Sequence, residues 1–226
     1  MITVVMPVLG HIKLTNNMLR MMSNNIVKPE MVIIFDNDYK SNLGSIIEKY
    51  RGELNICYIK NNTNIGVNPC WNEGILRSKT PLISILNNDL LISKYFFKKI
   101  IETYNENDKY GIICPNTIKN RATVETTNDD KVIVNKMGKR EGWAFTIRKD
   151  LTNKMDPIPE ELKIYCGDDY LFKKCRDLEY KAVKIMNNYI YHFGGVTVSG
   201  HFGKRTPLKE EKVIWSDILK KEISND

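Results

Sequence analysis

A chain of 226 residues, 42% apolar and 27% charged, is long enough to bury a true core in one or two domains. No uncharged apolar run approaches the ~18 residues of a membrane span, and the opening ITVVMPV is strand-like with no basic segment ahead of it, so a cytoplasmic protein is expected. A net charge of +7 points to polyanionic partners such as nucleotide diphosphates, nucleic acid or an anionic membrane surface. The 5 cysteines are an odd number without a C-x-x-C pair; they read as reduced core residues, with neither a zinc site nor a disulfide framework.

In chain order, Thr3 to Val8 is a near-continuous apolar run stopped by Pro7 and Gly10. Leu14, Met18, Leu19 and Met22 then recur at helical spacing. A second strand, Met31 to Phe35, ends at Asp36-Asn37-Asp38, and a helix follows with Leu43, Ile46, Ile47 and Tyr50 on one face. Leu54 to Ile59 predicts a third strand. The polar loop from Asn61 to Gly66 leads into a helix for which Asn68 is the expected cap, Pro69 the first helical residue, and Trp71, Ile75 and Leu76 the apolar face. The fourth strand, Ile83 to Leu86, runs into Asn87-Asn88-Asp89. Alternation of this kind predicts an α/β fold, a parallel sheet with helices on both faces.

Ligands of open α/β sheets bind beyond the carboxyl ends of the strands. Asp36 and Asp89 both fall there, so they are expected to face one crevice. Each has a plainer role available, Asp36 as a helix cap and Asn87-Asn88-Asp89 as a polar turn.

Beyond Ile92, Ser93 can cap a helix carrying Phe96, Phe97, Ile100, Ile101 and Tyr104, a stripe that reads as core. Tyr110 to Cys114 predicts a strand stopped by Pro115. Residues 116–141 turn polar and basic, with a hairpin arm expected at Val132 to Val134, and read either as a loop-rich insertion lining a binding face or as a solvated excursion. Trp143 to Ile147 resumes a strand, and Asp150 to Pro159 is a Pro-containing connection. Asp168 and Asp169 then open a helix whose buried face is Leu171, Phe172, Cys175 and Leu178. One of the two carboxylates can serve as a cap and the other as a general base, if its pKa is raised by a neighbouring acid or by burial. His192 follows the apolar Tyr189 to Tyr191 and precedes two glycines. It is either a satisfied structural histidine or, paired in space with Asp89, a ligand for Mn²⁺ or Mg²⁺. The tail brings Ser199, His201, Lys204 and Arg205 in a Gly-rich loop suited to closing over phosphates, then a helix through Val213, Ile214, Ile218 and Leu219.

Taken together, VVMPVLG, IIFDND, NNTNIGVNPCWNEGI, ILNNDL, GWAFTIR, YCGDDYLFKKCRDLEY and IYHFGG resemble, in order and spacing over roughly residues 2–200, the family 2 glycosyltransferases of the GT-A fold. The resemblance implies a GT-A domain over residues 1–203, with a nucleotide-sugar-binding half at 1–92 and an acceptor half at 93–203, and a basic loop and helix at 204–226 packed on it. It implies inverting transfer of a sugar from a UDP-, GDP- or dTDP-linked donor to a glycan, lipid-linked sugar, protein or DNA acceptor, with Mn²⁺ or Mg²⁺ on the diphosphate. Pro7, Val8 and Asp36 match the family's pocket for the nucleotide base, and Asn64, Gly66 and Asn72 its N-x-G segments bordering the nucleotide. Asn87-Asn88-Asp89 matches D-x-D and makes Asp89 a metal ligand, joined by His192. Asp168-Asp169 matches the acidic pair, with Asp169 expected as the base. Asn87 replaces the first acid of D-x-D, and Trp71 stands where many members carry an arginine, so that one phosphate contact is either missing or supplied by Lys204 or Arg205.

Other readings predict different things. A nucleotidyltransferase would show a Gly-rich phosphate loop with a following lysine, for which VLGHIK is a poor fit. A non-catalytic nucleic-acid-binding module would interleave bases with aromatics along one surface, whereas the bases here are dispersed. Transfer to a hydroxylated base in DNA would show binding that weakens steeply with salt.

Overall fold

A computed structural model of the chain describes residues 1–127, 129–136, 142–194 and 206–225. Among them, strands β1 (Ile2–Val8), β2 (Met31–Asp36), β3 (Ile56–Lys60), β4 (Leu82–Leu86), β5 (Leu90–Ile92), β6 (Tyr110–Thr117), β7 (Val134–Lys136), β8 (Ala144–Arg148) and β9 (Lys181–His192) form one sheet. Its order is β3-β2-β1-β4-β8-β6-β9-β5, with β7 also on β9. The half from β3 to β4 is parallel, and β8 joins β4 antiparallel, making the rest mixed. The helices are α1 (Ile12–Ser23), α2 (Leu43–Glu48), α3 (Val67–Arg77), α4 (Phe96–Glu106), α5 (Arg121–Thr126), α6 (Lys149–Thr152), α7 (Gly167–Asp177) and α8 (Thr206–Asn225).

The apolar runs of β1, β2 and β4 are continuous because both faces of the sheet are covered. Val4, Met6 and Val8 of β1, with Val32 and Ile34 of β2, meet α1, α2 and α4 through Met18, Leu19, Leu43, Ile47, Phe96 and Phe97. Val5, Ile33, Phe35, Ile83 and Ile85 point the other way and pack with Cys70 and Trp71 of α3, Leu171 and Phe172 of α7, and Ile214, Trp215 and Ile218 of α8. Each large apolar side chain so buried stabilises the fold by about 1.5–3 kcal/mol.

Several local expectations are corrected. Asn68 does not cap α3: that position belongs to Gly66, at φ 96°, and the N–H groups of Val67 and Asn68 donate to the carbonyl of Lys163. Only glycine fits there, because a Cβ would stand 2.5 Å from that same carbonyl oxygen. Leu76 faces solvent at 74% exposure, so the buried side of α3 is Asn68, Cys70, Trp71 and Gly74. Pro115 does not end β6, which continues to Thr117 past a register shift between Cys114 and Asn116, the irregular place in a ladder where a missing N–H is tolerated. The polar stretch after β6 holds α5 and β7, the latter pairing with β9. Ser93 gives α4 a backbone carbonyl for the N–H of Phe96, and its hydroxyl turns to Asn188.

The cysteines are free, and all but the half-buried Cys57 are buried. Among the described residues no helix is long and apolar enough to cross a membrane.

Candidate functional site

Leu90 of β5 is the register partner of His192 at the end of β9. That pairing brings together side chains 103 positions apart, since Asp89 lies just before the strand it opens: His192 Nε2 is 3.3 Å from Asp89 Oδ2. A second bond ties the same corner, Phe193 N–H donating to the carbonyl of Asp89 at 3.0 Å. The imidazole is stacked on Trp143, centroid to centroid 4.7 Å and 19° from parallel. Trp143 is itself held, its indole N–H donating to Thr117 Oγ1 at 3.1 Å and its carbonyl accepting Asn87 N–H at 3.0 Å.

Asp89 is 4% exposed, yet among the described residues its Oδ1 has no hydrogen-bond partner. An unpaired buried polar group costs about 1–3 kcal/mol, more if charged. A cation relieves that cost. Two donors at ordinary bond lengths and right angles about one Mg²⁺ or Mn²⁺ stand roughly 3 Å apart, close to the separation of Asp89 and His192. Carboxylate and imidazole also suit such an ion chemically. Among the described residues no third His, Cys, Asp or Glu joins them, so the remaining coordination falls to ligand and water.

Beside this corner a cavity of about 80 Å³ is lined by Pro7, Val8, Leu9, Asn37, Asn64, Gly66, Val67, Asn87, Asn88 and Ile164. Six expected residues therefore gather there: Pro7, Val8, Asn64, Gly66, Asn87 and Asn88. Asn64 Oδ1 accepts Gly66 N–H and shapes the loop, while Asn88 donates to Thr15 Oγ1 and anchors its turn to α1. Asn37 was not foreseen. It donates to the carbonyl of Gly66 at 3.1 Å and accepts from Asn61 at 2.8 Å, fixing the loop that forms one wall.

Other expected residues stand elsewhere. Asp36 is fully buried; its carboxylate accepts Tyr58 O–H at 2.7 Å, Asp38 N–H at 3.1 Å and the Ser41 hydroxyl, and it does not reach the cavity. Burial, then the bond to Asp36, pushes the Tyr58 phenol up. Neither is Asp36 a helix cap. Asn72 faces away, its amide donating to the carbonyl of Ile158 and accepting Ile158 N–H. Trp71 belongs to the core, edge-on to Phe145 with centroids 5.5 Å apart. Lys204 and Arg205, with Gly195, Ser199 and His201, lie outside the described residues.

Asp168 and Asp169 sit in the first turn of α7, behind Cys166 in a left-handed conformation at φ 59°. A Cβ on Gly142 would lie 2.4 Å from Asp168 Oδ2, so the acid packs directly against the residue preceding Trp143. His192 and Asp168 thus flank the dipeptide Gly142-Trp143. The turn before α7 is clamped from both sides. Asn68 Nδ2 donates to the carbonyls of Leu162 and Tyr165 at 3.1 and 2.9 Å, and Glu211 of α8 accepts the N–H groups of Ile164 and Tyr165. No sequence signal marks Glu211, since a glutamate on an amphipathic helix ordinarily faces water.

Larger cavities lie elsewhere, including one of about 570 Å³ between α3 and the loop at 155–163 and one of about 940 Å³ at the start of β9. Neither contains the acids or the imidazole.

Residues 3–172 match the family model described as glycosyl transferase family 2. No curated protein matches the chain. Among solved structures, S. aureus TarS is similar at 17% identity and TM-score 0.68, covering 84% of this chain and 36% of its own. S. aureus TarS 1-349 in complex with UDP-GlcNAc gives 15%, 0.69, 89% and 61%. The mannosyltransferase PcManGT from Pyrobaculum calidifontis, in complex with GDP-Man and Mn²⁺, gives 11%, 0.69, 84% and 56%. At those identities the likeness shows the GT-A fold, and the chain spans between 36% and 61% of these structures' lengths.

Proposed function

The chain belongs to glycosyl transferase family 2, and from that premise we propose that it moves a sugar from a nucleotide-diphosphate sugar to an acceptor hydroxyl, inverting the anomeric carbon, with a divalent cation at Asp89 and His192. The observation that carries this is the buried Oδ1 of Asp89, unpartnered among the described residues, whose other oxygen is 3.3 Å from His192 Nε2, next to the cavity at the strand ends. The UDP-GlcNAc, GDP-Man and Mn²⁺ bound to the structurally similar proteins support the donor class and the cation.

Asp89 and His192 hold the cation, which when bound supplies Lewis-acid neutralisation of the charge gathering on the departing diphosphate. Pro7, Val8, Asn64 and Gly66 form the wall against which part of the nucleotide rests, and the Asn87 amide offers a hydrogen bond to a ribose hydroxyl. At about 80 Å³ this cavity takes only part of a nucleotide sugar, and the rest of the donor extends beyond it. Asp169 takes the proton from the acceptor hydroxyl as its oxygen attacks the anomeric carbon from the face opposite the leaving group. One displacement gives inversion. Asp168, packed on Gly142, holds the first turn of α7 against the segment that carries Trp143.

The test is a panel of UDP-, GDP- and dTDP-sugars with Mn²⁺ or Mg²⁺, scored for thermal stabilisation and for slow donor hydrolysis. One nucleotide class is expected to raise Tm only with the cation present and to be hydrolysed. A panel in which no donor is bound or hydrolysed with either cation rejects the proposal.

A further inference from the structure

The open cavity of about 940 Å³ lies at the far ends of α7 and β9 from the site above. Arg176 is eight residues past Asp168 on α7, so the two are separated by about 12 Å along the helix axis. The described lining combines the cations Lys136, Arg176 and Lys181 with a floor of the half-buried Tyr110, Val134, Tyr180 and Ala182; Phe172 and Val183 also border it but are almost wholly buried. No carboxylate lines it among the described residues.

Two of the nearby acids are engaged, and Glu179, next to Tyr180, is exposed and outside the lining. Asp177 pairs with Lys173 at 2.5 Å, and Asp108 reaches Arg148 at 3.7 Å. More positive charge stands behind the wall: Lys109 and Lys154 lie 5.8 and 5.1 Å from the centre of the Tyr180 ring, and Lys154 Nζ donates to its hydroxyl at 2.8 Å. Cations of one sign gathered around a concave surface with low-dielectric walls draw anions into it. An arginine fork matches phosphate or carboxylate oxygens bidentately, while the apolar floor takes carbon rather than charge. The volume is that of a small-ligand site. A purely ionic partner would leave the floor of Tyr110, Val134, Tyr180 and Ala182 unused, and a neutral sugar would leave the cations unused.

We propose that this cavity is a second ligand site, which takes an anionic saccharide with its ring on the floor and its phosphate or carboxylate on Arg176, Lys181 and Lys136. The site stands apart from the catalytic assignment and holds or fails independently of it.

Calorimetric titration in EDTA at fixed ionic strength tests it, with glucose 6-phosphate, glucose, inorganic phosphate and a mixed-sequence oligonucleotide as probes. Glucose 6-phosphate is expected to bind on the order of tenfold more tightly than glucose or inorganic phosphate, and the double variant Arg176→Gln, Lys181→Gln to weaken it by about tenfold. Both side chains are exposed, so the variant keeps its fold and an unchanged Tm verifies this. Asp89→Ala is expected to leave the affinity unchanged, separating this site from the donor site. Equal binding by wild type and double variant overturns the proposal. So does loss of binding in Asp89→Ala, or an oligonucleotide that uses Arg176 and Lys181 more tightly than the saccharide does.

Discussion

Glu211 accepts the backbone N–H of Tyr165 at 2.8 Å, although 46 residues of chain separate them. The same carboxylate accepts Ile164 N–H, so a side chain of the last helix closes the turn that launches Asp168 and Asp169. Hydrogen bonds to a charged group contribute about 1.5–3 kcal/mol, and an orphaned buried donor costs about 1–3 kcal/mol. Glu211→Ala is therefore expected to lower stability by about 2 kcal/mol and Tm by about 4–8 °C. It should reduce kcat and raise donor KM as well, because Ile164, whose N–H it holds, also lines the donor cavity. Glu211→Gln, which keeps an acceptor oxygen, restores most of both. Equal kcat in all forms would show that the latch is irrelevant to the chemistry.

Gly142 has no room for a side chain. In Gly142→Ala the new methyl meets the Asp168 carboxylate at 2.4 Å, so that the carboxylate must turn aside. Misplacement on the scale of an ångström costs about 10–100-fold in rate. Steady-state kinetics should show that loss in kcat with metal-dependent donor binding retained. Unchanged kcat would mean that the placement of Asp168 does not govern the reaction.

Asp169→Asn keeps the shape of the residue and removes its basicity. Transfer is expected to fall by about 10²–10⁴-fold, the usual range for a general base, with donor affinity preserved. Asp168→Asn should fall less. The reversed order, measured under donor saturation, would assign the base to Asp168.

Burial pushes the thiols of Cys70 and Cys175 up to about 12 and that of Cys166 up to about 11. With a raised pKa the neutral thiol persists to higher pH, so at pH 8 about one Cys166 in a thousand is thiolate and fewer of the others. Iodoacetamide on the native protein at pH 8, read by peptide mass spectrometry, should mark the half-buried Cys57 first. Rapid labelling of Cys70 or Cys175 would contradict their environment.

The parallel half of the sheet is legible because β1, β2 and β4 are covered on both faces, which forces continuous apolar runs, and the strand-end position of Asp89 follows directly. What stays hidden depends on partners distant in sequence. Leu90–Ile92 is too brief, coming straight after a polar triplet, to announce a strand, yet its pairing with β9 is what seats Asp89 beside His192. Asp36 and Asn72 look identical to ligand-binding residues in a linear pattern, but Tyr58 and Ser41 enclose the first and the backbone of Ile158 occupies the second. Asn68 has the composition of a cap and instead bridges to carbonyls 94 and 97 positions on. The Trp143–His192 stack and the Glu211 latch exist only once the sheet is closed and α8 has docked.

Calorimetry with the donor identified by the panel, in the presence and absence of Mn²⁺, on wild type, Asp89→Ala and His192→Ala, addresses the pairing of Asp89 and His192 most directly. Wild type should bind the donor at least about tenfold more tightly with Mn²⁺ than without, a gain of about 1.4 kcal/mol or more, and both variants should lose that gain while keeping the weaker metal-free affinity. A Mn²⁺-dependent gain that persists undiminished in both variants would place the cation elsewhere and contradict the site described here.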